Sequence, residues 1–226
     1  MRLPVALLTT LLFLPGCAES DNAANSNNAS GGNDVTAKQS AAASAVENGA
    51  GIADAAAGVY HLDKTHGYVT FSYSHQGYSR PWLRFRDVDA TLQLDPADIS
   101  QSKLQVNIDA SSIDSGVDIF DEHLRGDKFF DVAKYPAIEY VATDVTTGAK
   151  ANTLSIAGIL TMKGVARPLA LEATFNKSGL HFKTKKPQLG FSAKALLKRS
   201  EWDLGYGVPM VGDDVEVIIE AEFMQP

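Results

Sequence analysis

Tyr68-Val69-Thr70-Phe71-Ser72-Tyr73-Ser74-His75 is the stretch that decides the fold class. Val69, Phe71, Tyr73 and His75 alternate with Tyr68, Thr70, Ser72 and Ser74, and successive side chains of a strand point to opposite faces. One face is therefore built for a core and the other for water. Outward from this stretch the same period of two recurs at Val88, Ala90, Leu92, Leu94 and at Leu104, Val106, Ile108, Ala110. It continues over 138–145 and 154–162, at Leu169, Leu171, Ala173, Phe175, over 189–197, and at Val215, Val217, Ile219, Ala221, Phe223. Breakers separate the runs: Asp95-Pro96, Ser115-Gly116, Thr147-Gly148, Lys163-Gly164, Ser178-Gly179 and Val211-Gly212. About eight short-connected strands must hide their edges by closing into a barrel or stacking as a sandwich. Helices do not alternate with the strands, which argues against a parallel α/β sheet. The one interruption, DIFDEHLRGDKFFD at 118–131, suits a short helix at a barrel mouth.

The N-terminal quarter has a different character. Met1 and Arg2 precede an apolar run over residues 3–14, broken only by Pro4, Thr9 and Thr10. That run is far shorter than the ~20 residues needed to span a bilayer and suits a signal-peptide core. Leu14-Pro15-Gly16-Cys17 resembles a bacterial lipobox, in which the Cys is lipidated after cleavage, with Pro15 as an unusual occupant. Ala18 rather than Asp after the Cys implies outer-membrane sorting in a Gram-negative cell. Cys17 is the only cysteine, so no intrachain disulfide staples the fold. Residues 18–57 hold no aromatic and no proline, and too little apolar surface to offset ordering entropy. As a flexible tether they have a root-mean-square span of roughly 35 Å. The expected organisation is a signal peptide at 1–16, a lipidated Cys and linker at 17–57, and one domain at 58–226. A net charge of −7 and a pI near 5.2 exclude nucleic acid as a natural partner, since phosphate backbones require a basic face.

Several blocks together resemble the YceI-like family of bacterial envelope proteins. They are Tyr60-His61-Leu62-Asp63, His66, the run from Val69 through His75, and Ile108-Asp109-Ala110-Ser111-Ser112-Ile113-Asp114. The match is strongest at Asp121-Glu122-His123-Leu124-Arg125, Phe129-Phe130-Asp131-Val132 and Tyr135-Pro136. It resumes at Gly158-Ile159-Leu160-Thr161-Met162-Lys163-Gly164-Val165, Arg167-Pro168-Leu169 and Arg199-Ser200. The resemblance implies a single all-β, antiparallel, eight-stranded lipocalin-like barrel, exported to the periplasm, with a long polyisoprenoid or similar amphiphilic lipid in its lumen. It implies no cofactor and carries over no catalytic residue. Leu83 and Ala90 depart from frequent family glycines, and Glu201 and Asp203 occupy an Asp and a Gly position. Asp tolerates a positive φ better than most residues.

A lumen that takes a hydrocarbon chain needs length and dryness rather than a reactive group. The apolar register places Val69, Phe71, Tyr73, Leu92, Leu94, Val106, Ile108, Ile156 and Leu160 on the inner face, where each also reads as plain barrel core. Small residues among them, Ala90, Ala110, Ala157, Gly158, Ala173, Ala193 and Ala195, are compatible with a narrow tunnel. Trp82, Phe129, Phe130 and Trp202 lie near loops and are candidates for a mouth or for packed corners. His75 and Arg199 are candidate headgroup partners, and Arg199 is expected to turn inward and meet a carboxylate or an anionic or carbonyl headgroup. His66 and His75 suggest a metal pair only weakly, because no HxH, HExxH or CxxC spacing supports one. Ser72 or Ser74 with His75 and Asp63 is the sharpest enzymatic arrangement, and it lacks a nucleophile-elbow motif. The charges at 121–128 read as a lid or docking surface, or as a solvated helix with local ion pairs. The expectation is a non-enzymatic lipid carrier, with an isoprenoid lipid (a quinone among the candidates), the membrane, and a second copy of the chain as partners. The alternatives are a ligand-free structural or stress-protective envelope protein, and an esterase.

Overall fold

In the computed structural model, which describes residues 51–226, residues 69–75 form the outer half of an eighteen-residue strand, β1 (Gly58–His75). The expected signal peptide, Cys17 and the tether up to residue 50 lie outside the described residues. Nine strands follow: β2 (Trp82–Phe85), β3 (Val88–Leu94), β4 (Lys103–Asp109), β5 (Ile113–Asp114), β6 (Ala137–Thr147), β7 (Thr153–Met162), β8 (Val165–Leu180), β9 (Pro187–Lys198) and β10 (Val211–Met224). A helix, α1 (Asp118–Arg125), stands between β5 and β6.

Pairing is antiparallel and runs β1–β3–β4–β6–β7–β8–β9–β10, and β10 returns to β1. The eight-stranded barrel so closed has solved the edge problem by leaving no open seam. The short strands β2 and β5 extend the wall at one end: β2 takes the outer half of β1, and β5 takes β2. That end also carries α1 and the connection between β9 and β10, and is called the helix end below. At the opposite end β1 begins, β3 runs out and the long β8–β9 hairpin turns back; this is the hairpin end.

Two irregularities keep apolar residues inside. Between Leu62 and Gly67 the β1–β10 register shifts, with Asp63, Lys64, Thr65 and His66 bulging opposite Glu222. Inward positions therefore change from Tyr60 and Leu62 to Val69, Phe71 and Tyr73; without the bulge one half of β1 would turn its apolar face to water. A similar shift after Ala142 in β6 moves the inward set from Ile138 and Tyr140 to Val145. The β7–β8 turn is Lys163-Gly164, with φ of 51° and 76°, the pair of positive values a tight hairpin between twisted strands requires.

The folded part starts before the composition change at 58. Ala55 is buried and Ile52 packs on the core at the hairpin end, so residues 52–57 belong to the barrel rather than to the expected linker. Within α1, Asp121 is buried and accepts from the Ser115 N–H at 2.7 Å, while Arg125 donates to the carbonyls of Ser111 (2.8 Å) and Ile113 (3.1 Å). These two charges, expected on a solvated surface, instead fasten the helix to the barrel rim.

Candidate functional site

Inward side chains leave two adjoining cavities along the barrel axis. The larger, about 270 Å³, lies toward the helix end, and the smaller, about 110 Å³, toward the hairpin end. Both are bounded by Val69, Val106, Leu171 and Ile219, one from each of four strands, which form a waist between them. Cavities that stay open between so many aliphatic side chains are unusual in close-packed interiors. The small residues act unevenly in making this space: Ala195 lines the larger cavity and Ala90, Ala173 and Ala193 the smaller. Ala157 points outward, Ala110 sits in packed core, and Gly158 is covered by the Tyr140 ring.

The larger cavity gathers Val69, Phe71, Tyr73, His75, Val106, Ile108, Phe129, Phe130, Leu160 and Arg199 from the sequence expectations. The smaller takes Leu92, Leu94 and Ile156. Trp202 lines neither. It is fully buried in a 3₁₀ turn at Arg199–Trp202, and its indole N–H donates to the Leu160 carbonyl at 3.0 Å, so it is a packed corner rather than part of a mouth. Trp82 is half exposed on the outer face, also off the cavity. Several lining residues escaped sequence reading. Val217 and Ile219 lay on an apolar register that could have found them, and Leu83 and Phe85 sit in a strand too short to show a period. Leu204 and Tyr206 come from a loop that gives no periodic signal.

Arg199 continues the inward register of β9 and is buried at the wide mouth. Among the described residues no carboxylate accepts from it, contrary to expectation. Nε donates to the Gly212 carbonyl (2.8 Å), Nη1 to Leu204 and Tyr206 (3.0 Å for the latter), and Nη2 to Val211 (3.0 Å). Burial lowers its pKa from the usual arginine range, with Asp213 opposing that shift. The guanidinium thus gathers the β9–β10 connection into a rim and leaves little donor capacity for a ligand. Asp203 beside it has a φ of 58°, a left-handed conformation that an Asp accepts in place of Gly. The Phe129 ring meets Tyr206 edge-on at 5.4 Å, joining the segment after α1 to this rim.

The polar side chains of the larger cavity are Tyr73, His75, Tyr140, Arg199 and Tyr206. Tyr140 is already engaged: its hydroxyl donates to the Ile156 carbonyl at 3.0 Å, and burial pushes its pKa up to about 12. Burial also raises Tyr73, with the Arg199 charge pulling the other way.

The weaker alternatives, a histidine metal pair and an esterase triad, do not assemble among the described residues. His66 and His75 lie nine positions apart in one strand, on the order of 25 Å by the rise of a strand, so they make no metal pair. His66 instead bonds Asp63 through Nδ1 at 2.8 Å, with Glu222 at 4.0 Å. That hydrogen bond holds the Asp63 carboxyl down at about 2 and raises His66. Asp63 therefore cannot orient His75, and the Ser72 hydroxyl is buried on the opposite face of β1 from the cavity. The esterase triad is not formed.

The larger cavity is thus lined by aliphatic and aromatic side chains and rimmed by few polar groups. The sequence matches the YceI-like domain over residues 60–223. The chain belongs to the YceI-like family. Protein YceI of Salmonella arizonae is 33% identical over 173 residues, covering 76% of this chain and 89% of that protein. Among solved structures, Burkholderia cenocepacia BcnA superposes with a TM-score of 0.64 at 24% identity, covering 71% of this chain and 98% of BcnA. The Campylobacter jejuni YCEI protein gives 0.60 at 27% identity, covering 66% of this chain and 86% of that one. A polyisoprenoid binding domain from Saccharophagus degradans shares the fold, with a TM-score of 0.56 at 16% identity, over 74% of this chain and 98% of that domain.

Proposed function

We propose that this YceI-like barrel binds one long apolar lipid of the isoprenoid class and carries it, without catalysis, in the bacterial envelope. The observation that supports this most is the pair of apolar cavities meeting end to end at the Val69–Val106–Leu171–Ile219 waist. A flexible prenyl chain can follow such a path, whereas a rigid ligand would be confined to the wider chamber. Each methylene moved from water contributes about 0.8 kcal/mol. A few isoprene units therefore exceed ordering costs of several kcal/mol. The solved polyisoprenoid binding domain from Saccharophagus degradans, which has this fold, supports the same reading.

The polar end of the lipid belongs at the helix end, where Tyr73 and His75 face the wide cavity. A hydroxyl, a phosphate or a quinone carbonyl would each find a donor there, and quinones are included among the candidates for that reason. The signal-peptide-like start and the lipobox-like Cys17 support a barrel tethered at the membrane in this proposal, with outer-membrane sorting the expectation from Ala18.

Calorimetric titration of the delipidated barrel with a polyprenol and with a quinone tests the proposal. One-to-one binding with a negative heat-capacity change is expected, because that change marks buried apolar surface. Absence of saturable binding by either lipid across a range of temperatures would favour a barrel whose interior serves only as core.

A further inference from the structure

The β8–β9 hairpin carries the densest cluster of lysines in the chain. No Asp or Glu occurs between Glu172 and Glu201, while Lys177, Lys183, Lys185 and Lys186 cluster about its turn, in a chain of net charge −7. The turn of this hairpin runs past the barrel wall: β7 leaves β8 at Thr174, β10 stays with β9 as far as Gln188, and residues 181–186 extend beyond both neighbours. At its tip Leu180 is 66% and Phe182 70% exposed. These side chains are presented by a fixed frame, since the His181 N–H donates to the Lys186 carbonyl and the Lys185 N–H to the His181 carbonyl, both at 2.8 Å. The Lys183 ammonium lies 5.2 Å from the Phe182 ring centre, so charge and apolar surface share one site.

From this we infer that the β8–β9 hairpin tip docks on an anionic phospholipid bilayer, with Leu180 and Phe182 entering the interface and the lysines meeting headgroups. Apolar side chains ringed by lysines gain from apolar insertion and from attraction to anionic lipid together. The helix end also exposes apolar side chains, Ile119 and Met210, but Ile119 stands on a helix with the exposed acids Asp118 and Glu122, which an anionic surface repels. The described chain enters the barrel at this hairpin end, where Ile52 packs. The wide mouth then faces away from that bilayer, toward whatever donates or accepts lipid. This orientation rests on the tethered-carrier reading, whereas bilayer contact by the tip does not.

The test is flotation of residues 51–226, a barrel that contains its own core and matches 98% of the solved BcnA chain, with vesicles. The unit lacks Cys17, so an acyl anchor cannot contribute. Vesicles of phosphatidylcholine alone are compared with vesicles containing about one-third phosphatidylglycerol, at low and high salt. Binding to the anionic vesicles at least about tenfold stronger, weakening with salt, is expected. Lys183→Glu with Lys185→Glu and Lys186→Glu should abolish that preference. Leu180→Ser with Phe182→Ser should weaken binding at both salts, and Ile119→Ser with Met210→Ser should leave it unchanged. Equal binding to both vesicle types, no effect of the hairpin variants in a barrel of unchanged near-ultraviolet dichroism, or loss only in the helix-end variant would each overturn it. A barrel that takes polyprenol yet ignores anionic vesicles would overturn the docking surface and leave lipid carriage standing.

Discussion

Arg199 shows how one buried charge can be a structural device. Its donors are spent on the carbonyls of Leu204 and Tyr206 in the β9–β10 connection and of Val211 and Gly212 at the start of β10. Arg199→Leu keeps the apolar stem but orphans those carbonyls at about 1–3 kcal/mol each when they stay buried. The variant should lose more than ~2 kcal/mol in urea unfolding, with the 204–212 segment first to exchange its amides. A loss near zero would mean that water already serves these carbonyls. The sequence announced that Arg199 turns inward, through the β9 register, but its partners come from a loop whose path no periodicity encodes. At the bulge, the Asp63–His66 pair makes a prediction about pH. Asp63 is held below its ordinary value, at about 2 against 3.8, so the stability it adds is complete above pH 3.8 and disappears as pH falls toward 2. His66 is raised, so its share is complete below about 6.5 and fades as pH rises through its folded value. His66→Ala should flatten both limbs of a stability–pH profile; an unchanged acid limb would show that the pair contributes nothing there.

At the scale of elements, β6 and β7 fit most tightly where the Tyr140 ring covers Gly158. A Cβ built on Gly158 would lie 2.4 Å from Cζ of Tyr140, whose hydroxyl bonds β7 and β8 carbonyls. Gly158→Ala must therefore push the ring into the wide cavity, and an overpacking cost of ~1–3 kcal/mol is expected in thermal unfolding. Tyr140→Phe in the same protein should restore only part of it, since Cζ and Cε2 of the ring clash along with the hydroxyl oxygen. The β-strands themselves were legible, because a half-buried strand must alternate whatever its neighbours are. What escaped was set by neighbours: β2 and β5 are too short to show a period, and the shift at Asp63–His66 is a property of the β1–β10 pair.

For the whole molecule, stability and ligand binding should separate according to where a side chain is enlarged. Ala110 is buried against packed core and Ala195 borders open space, although both sit in apolar registers. Ala110→Leu should overpack and cost ~1–3 kcal/mol, whereas Ala195→Phe should be nearly neutral in unfolding while weakening lipid binding at least about tenfold. Similar losses of stability at both sites would mean that the interior closes on itself in solution. Sequence could suggest an interior lined with small residues but not where space remains, because a cavity is the residue of all eight strands acting together.

The most direct measurement is native mass spectrometry of the barrel purified from a bacterial periplasm without detergent, compared with its organic-solvent extract. A carrier of isoprenoid lipid should arrive with one long-chain species bound per barrel, released on denaturation and identified in the extract. Barrels of bare protein mass that also fail to take up added polyprenol would contradict lipid binding and leave the lumen as core.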